Sequence, residues 1–166
     1  RIGSSKLDPA HVAEAYAMTY ATGRERYVAI DVLTADDEDV HGLRKPVQSH
    51  WRQTALLLDL WPDAMTLRLE TARRISKALG IDHDLSLLAE RVRDGLHVPR
   101  LSDDKQIFLD HCSARQLQLR QETDPWLKRL YGAAPETWGE VLTNWWDAAR
   151  DEMAQPGARA SHSTPV

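Results

Sequence analysis

Residues 34–62, TADDEDVHGLRKPVQSHWRQTALLLDLWP, carry one amphipathic helix with its start and stop written at either end. Thr34 precedes Asp36, Asp37, Glu38 and Asp39, and carboxylates in a first turn favour the positive end of the helix dipole. Val40, Leu43, Val47, Trp51, Thr54 and Leu58 then recur at helical spacing and fill one arc. His41, Arg44, Lys45, Gln48 and Arg52 fall within about 100° on the side facing away from it. Trp61-Pro62 ends the pattern, which predicts a helix from Thr34 to about Leu60. Such a helix packs on one side and presents donors, most of them cationic, on the other.

Working outward, the chain reads as helical nearly throughout. Asp8 is a good N-cap with Pro9 at the first helical position, opening a helix to about Val28. A third helix covers about Asp63–Leu79, with Gly80 placed for a left-handed C-terminal turn. Asp82 then reads as the cap of a short fourth helix stopping around Gly95 and Pro99. Ser102 starts a fifth helix to about Tyr131, and Pro135 a sixth ending near Arg150. Pro46 and Pro125 fall inside predicted helices and should kink or break them. No period-two pattern stands out and connections are short, so the expected fold is all-α, an antiparallel bundle of about six helices. It spans residues 8–152, and the polar tail at 153–166 is expected to be disordered.

At 166 residues and 18.8 kDa the chain suits one domain with a real core, and 42% hydrophobic with 28% charged residues suits a globular protein. No apolar run approaches the length needed to span a bilayer. Arg1-Ile2-Gly3-Ser4-Ser5 lacks an apolar core and is no signal peptide; it reads as a cut end. Cys112 stands alone, excluding an intrachain disulfide and making a reducing cytoplasm the natural home. The net charge of −4 argues against a general affinity for polyanions, but charge is unevenly spread. Residues 31–39 carry five acids and no base, whereas residues 41–77 carry seven bases against three acids. The positive field is local.

A row of guanidinium and ammonium groups along a rod suits a repeating anion, each taking a phosphate in turn. It is also what an ordinary solvated face looks like, and the residues alone leave both readings open. On the third helix Arg73, Arg74 and Lys77 share a similar arc, with Glu70 inside it. His50 lies opposite His41 and reads as a packing residue. The six tryptophans read mainly as core; stacking of bases would require them interleaved with the cations, and only Trp51 stands close.

The segments His41-x-x-Arg44-Lys45, Trp51-x9-Trp61-Pro62 and Leu79-Gly80-Ile81-Asp82-His83-Asp84-Leu85 together resemble the CHAD family, the histidine-containing α-helical domain. Tyr20-Ala21-Thr22-Gly23-Arg24 looks like that family's pattern before the His-x-x-Arg helix, and Arg129-Leu130-Tyr131, Pro135 and Trp145-Trp146 like its closing helices. The resemblance covers about residues 10–150 and only the C-terminal of the family's two helical bundles. It implies a non-catalytic module binding inorganic polyphosphate, with possible placement at cytoplasmic polyphosphate granules and no cofactor. By position it assigns His41, Arg44 and Lys45, with Arg24 and Arg74 as helpers; Gln48 stands where the family often has a base, and Pro46 is unusual there. The missing N-terminal half or a second chain would complete a shared groove, and nucleic acid enters only as a poorer-fitting competitor. No Glu-x-Glu-x-Lys motif of a triphosphate tunnel enzyme is present.

Two other classes compete. A metal-dependent phosphohydrolase of the HD type would use His83-Asp84 with His41 or His50 and Asp103, Asp104 or Asp110. A dimerisation or interaction module would use the Trp-rich C-terminal helix as its interface.

Overall fold

The Asp8 carboxylate accepts from the Ala10 amide at 3.0 Å, and with Pro9 behind it starts the first helix where the sequence places it. The computed structural model describes residues 8–95 and 104–154. Over them the chain forms α1 (Pro9–Ala29), α2 (Asp37–Leu56), a 3-10 turn at Leu58–Leu60, α3 (Pro62–Arg93), α4 (Lys105–Leu130) and α5 (Pro135–Ala154), with no strand among the described residues. The expected Pro99 stop, the Ser102 start and the tail beyond residue 154 lie outside the described residues.

The all-α bundle stands, with five helices among the described residues instead of six. The third and fourth expected helices are one, because α3 runs unbroken through Gly80 and Asp82. Gly80 keeps an ordinary helical backbone; the left-handed glycine is Gly95, at φ 97°, just past the end of α3. A mid-helix glycine costs about 1 kcal/mol relative to alanine, which burial of Ile75, Leu79, Ala89 and Val92 on the same helix offsets several times over. The second helix also starts later than Thr34, with Asp36 as the cap accepting from the Asp39 amide at 2.8 Å. Pro46 and Pro125 end neither helix; α2 and α4 continue through them.

Register shows that neighbouring helices are antiparallel. From α1 to α2, Tyr16 meets Thr54, Thr19 meets Gln53, and Arg26 lies by Gly42. From α2 to α3, Asp37 meets Ser86, His41 meets His83, and His50 meets Arg68. From α3 to α4, Asp82 meets Arg120 and Arg74 meets Trp126. Each step forward on one helix is a step back on its partner. The last helix, α5, packs against α1 and the 3-10 turn.

The core is continuous. Val40, Leu43 and Val47 of α2 meet Ala72, Ile75 and Leu79 of α3, Leu127 and Leu130 of α4, and Tyr20 of α1. A second cluster seats Leu142 of α5 among Ala13, Tyr16, Leu57 and Met65, and Trp138 touches both. Gly23 is needed for close approach: a β-carbon there would lie 2.1 Å from the Tyr131 hydroxyl.

Asp82, expected as a cap, is buried and holds Arg120 instead. Arg120 Nε donates to Asp82 Oδ1 at 2.8 Å and Nη2 to Oδ2 at 3.2 Å, a bidentate fork. The same guanidinium donates to Asp37 Oδ1 at 2.6 Å and to the Ala35 carbonyl at 2.7 Å. Burial alone would push the Asp37 carboxyl up; bonds from Ser86, Arg120 and Gln116 outweigh it and hold the group below the usual carboxylate range. Burial likewise works against the Arg120 charge, and Asp82 and Asp37 more than restore it. This knot ties the start of α2 to α3 and α4, and so fixes the helix that carries the basic face.

Candidate anion-binding surface

The amphipathic reading of α2 holds in three dimensions. Val40, Leu43, Val47, His50 and Thr54 are buried, whereas Lys45 and Arg52 are exposed and His41, Arg44 and Gln48 lie half-buried at the edge. His50 is a packing residue with hydrogen bonds: its Nε2 lies 3.2 Å from the Tyr16 hydroxyl and 3.1 Å from Arg68 Nε. Burial, and then the Arg68 charge, push its pKa well below the ordinary 6.5, so it sits neutral in the core.

What the sequence could not foresee is how α3 extends this face. The Arg44 guanidinium lies over Gly80, where a β-carbon would meet its Nη2 at 3.6 Å. Gly80 thus gives room to an arginine arriving from the neighbouring helix. Lys77 and Arg73 stand one and two turns back from Gly80 on the same face. Arg44 thus brings a cation of α2 onto the helix that carries Lys77 and Arg73. His83, three residues on from Gly80, stacks on His41 with ring centroids 4.0 Å apart and an interplanar angle of 26°. Burial first, then His83, Lys45 and Arg44, hold the His41 pKa below 6.5. The Nδ1 of His41 and the Nε of Arg44 are buried without a hydrogen-bond partner among the described residues.

The expected residues divide accordingly. His41, Arg44 and Lys45 come together with Gly80 and His83, while Gln48 and Arg52 continue the row along α2. Arg52 lies 5.7 Å from the Trp51 ring centre. Arg73, Arg74 and Lys77 line a groove of about 630 Å³ between α3 and α4. Arg73 is partly neutralised there by Glu70 at 3.7 Å. Arg44, Lys45, Arg52, Arg74 and Lys77 make no ion pair among the described residues. Arg24 does not join the cluster. Thr19 and Arg26, seven residues apart, share the side of α1 that meets α2, and Arg24 is two residues from Arg26, about 200° round the helix. Arg26 is the α1 arginine that meets α2, with Nη1 2.8 Å from where a Gly42 side chain would begin. The glycine at 42 was the available signal, since a small residue on a helix face marks close approach.

Aromatic interleaving also proves greater than the sequence reading allowed. Trp126 lies beneath the guanidinium groups of Arg74 and Arg129, at 4.5 and 5.1 Å, and Arg68 sits 3.7 Å over Trp138. Of the His83-Asp84 pair, His83 stacks on His41, and Asp82 before it is committed to Arg120. Among the described residues no group of three or more His, Cys, Asp or Glu side chains is arranged to hold a metal; Asp103 lies outside them. Among them, too, no helix is long and apolar enough to cross a membrane.

A family model described as the CHAD domain matches residues 4–93, a span that contains α1, α2 and α3 and with them His41, Arg44, Lys45, Gly80 and His83. No curated protein and no solved structure matches the sequence.

Proposed function

Because the chain belongs to the CHAD domain family, we propose that it binds inorganic polyphosphate, without chemistry, on the surface shared by α2 and α3. The observation that supports this reading is Arg44 of α2 lying over Gly80 on α3, the helix that also carries Arg73 and Lys77. Arg44 and Arg52 can each fork two phosphate oxygens, Lys45 and Lys77 act as point charges, and His41 and Gln48 supply directed hydrogen bonds. Asp37 is turned to Arg120, and Glu70 pairs with Arg73 within the α3 row. Recognition of this kind depends on counterion release and not on shape, so affinity rises with chain length and falls with salt.

Polyphosphate granules in the cytoplasm are the corresponding place of action. The second half of a two-bundle domain, or another chain, would widen the surface. Replacing Arg44 and Lys45 by alanine tests the assignment. Titrated with long-chain polyphosphate, the double variant is expected to bind more weakly and to show a flatter dependence of log affinity on log salt, by about 0.7–0.9 for each phosphate left without its cation. An unchanged slope would remove these two residues from the site.

A further inference from the structure

The interior end of α3 carries a cation that the polyphosphate surface does not use. Arg68 is half-buried, yet it makes no ion pair with a carboxylate among the described residues. Its Nε donates to the Tyr16 hydroxyl at 2.8 Å and to His50 Nε2 at 3.1 Å, and its Nη2 reaches the Leu130 carbonyl only at 3.5 Å. All three acceptors are neutral. Its plane rests on Trp138 at 3.7 Å, with the Tyr20 ring 5.2 Å away. A guanidinium held this way is fixed in orientation while its charge stays uncompensated, whereas buried charges are ordinarily paired.

Arg68 opens onto a pocket of about 320 Å³ between α3, α4 and α5. A second arginine, Arg129, lines it; among the described residues its hydrogen bond is to the Pro125 carbonyl one turn back, at 3.2 Å. The remaining walls are mainly apolar and include Trp126, Trp138, Trp145 and Leu130, and no acid among the described residues lines the pocket. A pocket of this size suits a small organic molecule. Two guanidinium groups match a phosphate dianion better than a carboxylate, in charge and in number of oxygens. The indole walls demand a flat apolar body, which inorganic polyphosphate lacks. We propose that this pocket binds an aromatic phosphate monoester, of which a nucleoside monophosphate is the simplest biological form. The phosphate lies between Arg68 and Arg129 and the ring lies along the tryptophans. Arg68 is twelve residues from Gly80, about 18 Å along α3, so the pocket lies away from Arg44, while it shares Leu67, Thr71 and Trp126 with the groove that Arg73, Arg74 and Lys77 line.

Titrating the full chain with phenyl phosphate and with adenosine monophosphate, while following tryptophan emission, tests this. Saturable quenching is expected at concentrations below about 1 mM for at least one of them. Inorganic phosphate, which lacks the ring, should bind at least about tenfold more weakly, and benzoate more weakly than phenyl phosphate. Arg68 belongs to the core, so Arg129→Ala at the rim is the variant to use. It should weaken binding by about tenfold, while Arg44→Ala leaves it within about twofold. No saturable signal would overturn the proposal. So would equal affinity for inorganic phosphate, or an effect of Arg44→Ala as large as that of Arg129→Ala. Loss of polyphosphate binding in Arg44→Ala with phenyl phosphate binding retained separates the two sites.

Discussion

Replacing Asp82 by asparagine distinguishes a capping residue from an internal strut. Asparagine caps a helix about as well as aspartate, so a role as N-cap predicts almost no change. The structure predicts otherwise, because Asp82 is buried and takes two hydrogen bonds from Arg120, at 2.8 and 3.2 Å. Asparagine keeps the shape, removes the charge and turns an amide donor toward a guanidinium that only donates. Breaking a buried ion pair from one side costs about 3–5 kcal/mol. Arg120 retains Asp37 and the Ala35 carbonyl, which places the expected loss at the lower end, about 3 kcal/mol. Urea unfolding followed by helix ellipticity and tryptophan emission measures it directly, provided the slope is unchanged. Replacing both partners together, as Asp82→Leu with Arg120→Met, should restore part of the loss, since no charge is then left buried; Asp37 loses Arg120 but is exposed and keeps its bonds from Ser86 and Gln116. An Asp82→Asn protein within about 0.5 kcal/mol of the parent would refute the strut and favour a helix start at this position.

Other substitutions and conditions give equally definite outcomes. Gly80→Ala should raise stability by about 0.5–1 kcal/mol, because the helix continues there and the new methyl meets Arg44 at ordinary packing distance; a loss in urea unfolding would mean a left-handed turn instead. Folding should weaken on acidification through the His50 imidazole, whose folded pKa lies well below the unfolded 6.5. The unfolded chain takes up the proton first, so this stability is present above pH 6.5 and is lost as pH falls below it, by up to about 1.4 kcal/mol per unit; unfolding curves that coincide at pH 7.5 and 5.5 would contradict it. Polyphosphate binding should show the opposite trend: His41 is held below 6.5 by burial, His83, Lys45 and Arg44, and a bound polyanion favours its charged form. Affinity should therefore rise as pH drops below 6.5, and rise less in His41→Gln, as measured by titration at matched salt.

The α2 helix was legible because its information is local, an acidic first turn and a single apolar stripe; its end was not, since α2 stops at Leu56 and Trp61-Pro62 opens α3 after a 3-10 turn. Val40, Leu43, Val47 and Thr54 of the expected stripe are buried, whereas Trp51 is half-buried, Leu58 lies past the helix and Pro46 is buried outside the stripe. The supposed break at Gly80 was not legible, because glycine followed by aspartate is the ordinary signature of a helix end and a new cap. What overrides it is Arg120, thirty-eight residues away, which draws Asp82 into the interior. The surface shows the same limit. His41, Arg44 and Lys45 share one helix and could be grouped from spacing, whereas His83 meets His41, and Arg26 meets Gly42, only through helix pairing. That Arg26 and not Arg24 faces α2 depends on which side of α1 meets α2, a register set by Thr19 with Gln53 and Tyr16 with Thr54.

The most direct measurement of the central claim is a titration of the purified chain with long-chain polyphosphate at two salt concentrations, with EDTA present and single-stranded DNA as competitor. Binding is expected to survive EDTA, to outcompete DNA, and to weaken steeply with salt, with a log–log slope of about −3 or steeper for four or more engaged cations. Absence of binding at the lower salt, or binding that EDTA abolishes, would contradict a polyphosphate surface on α2 and α3.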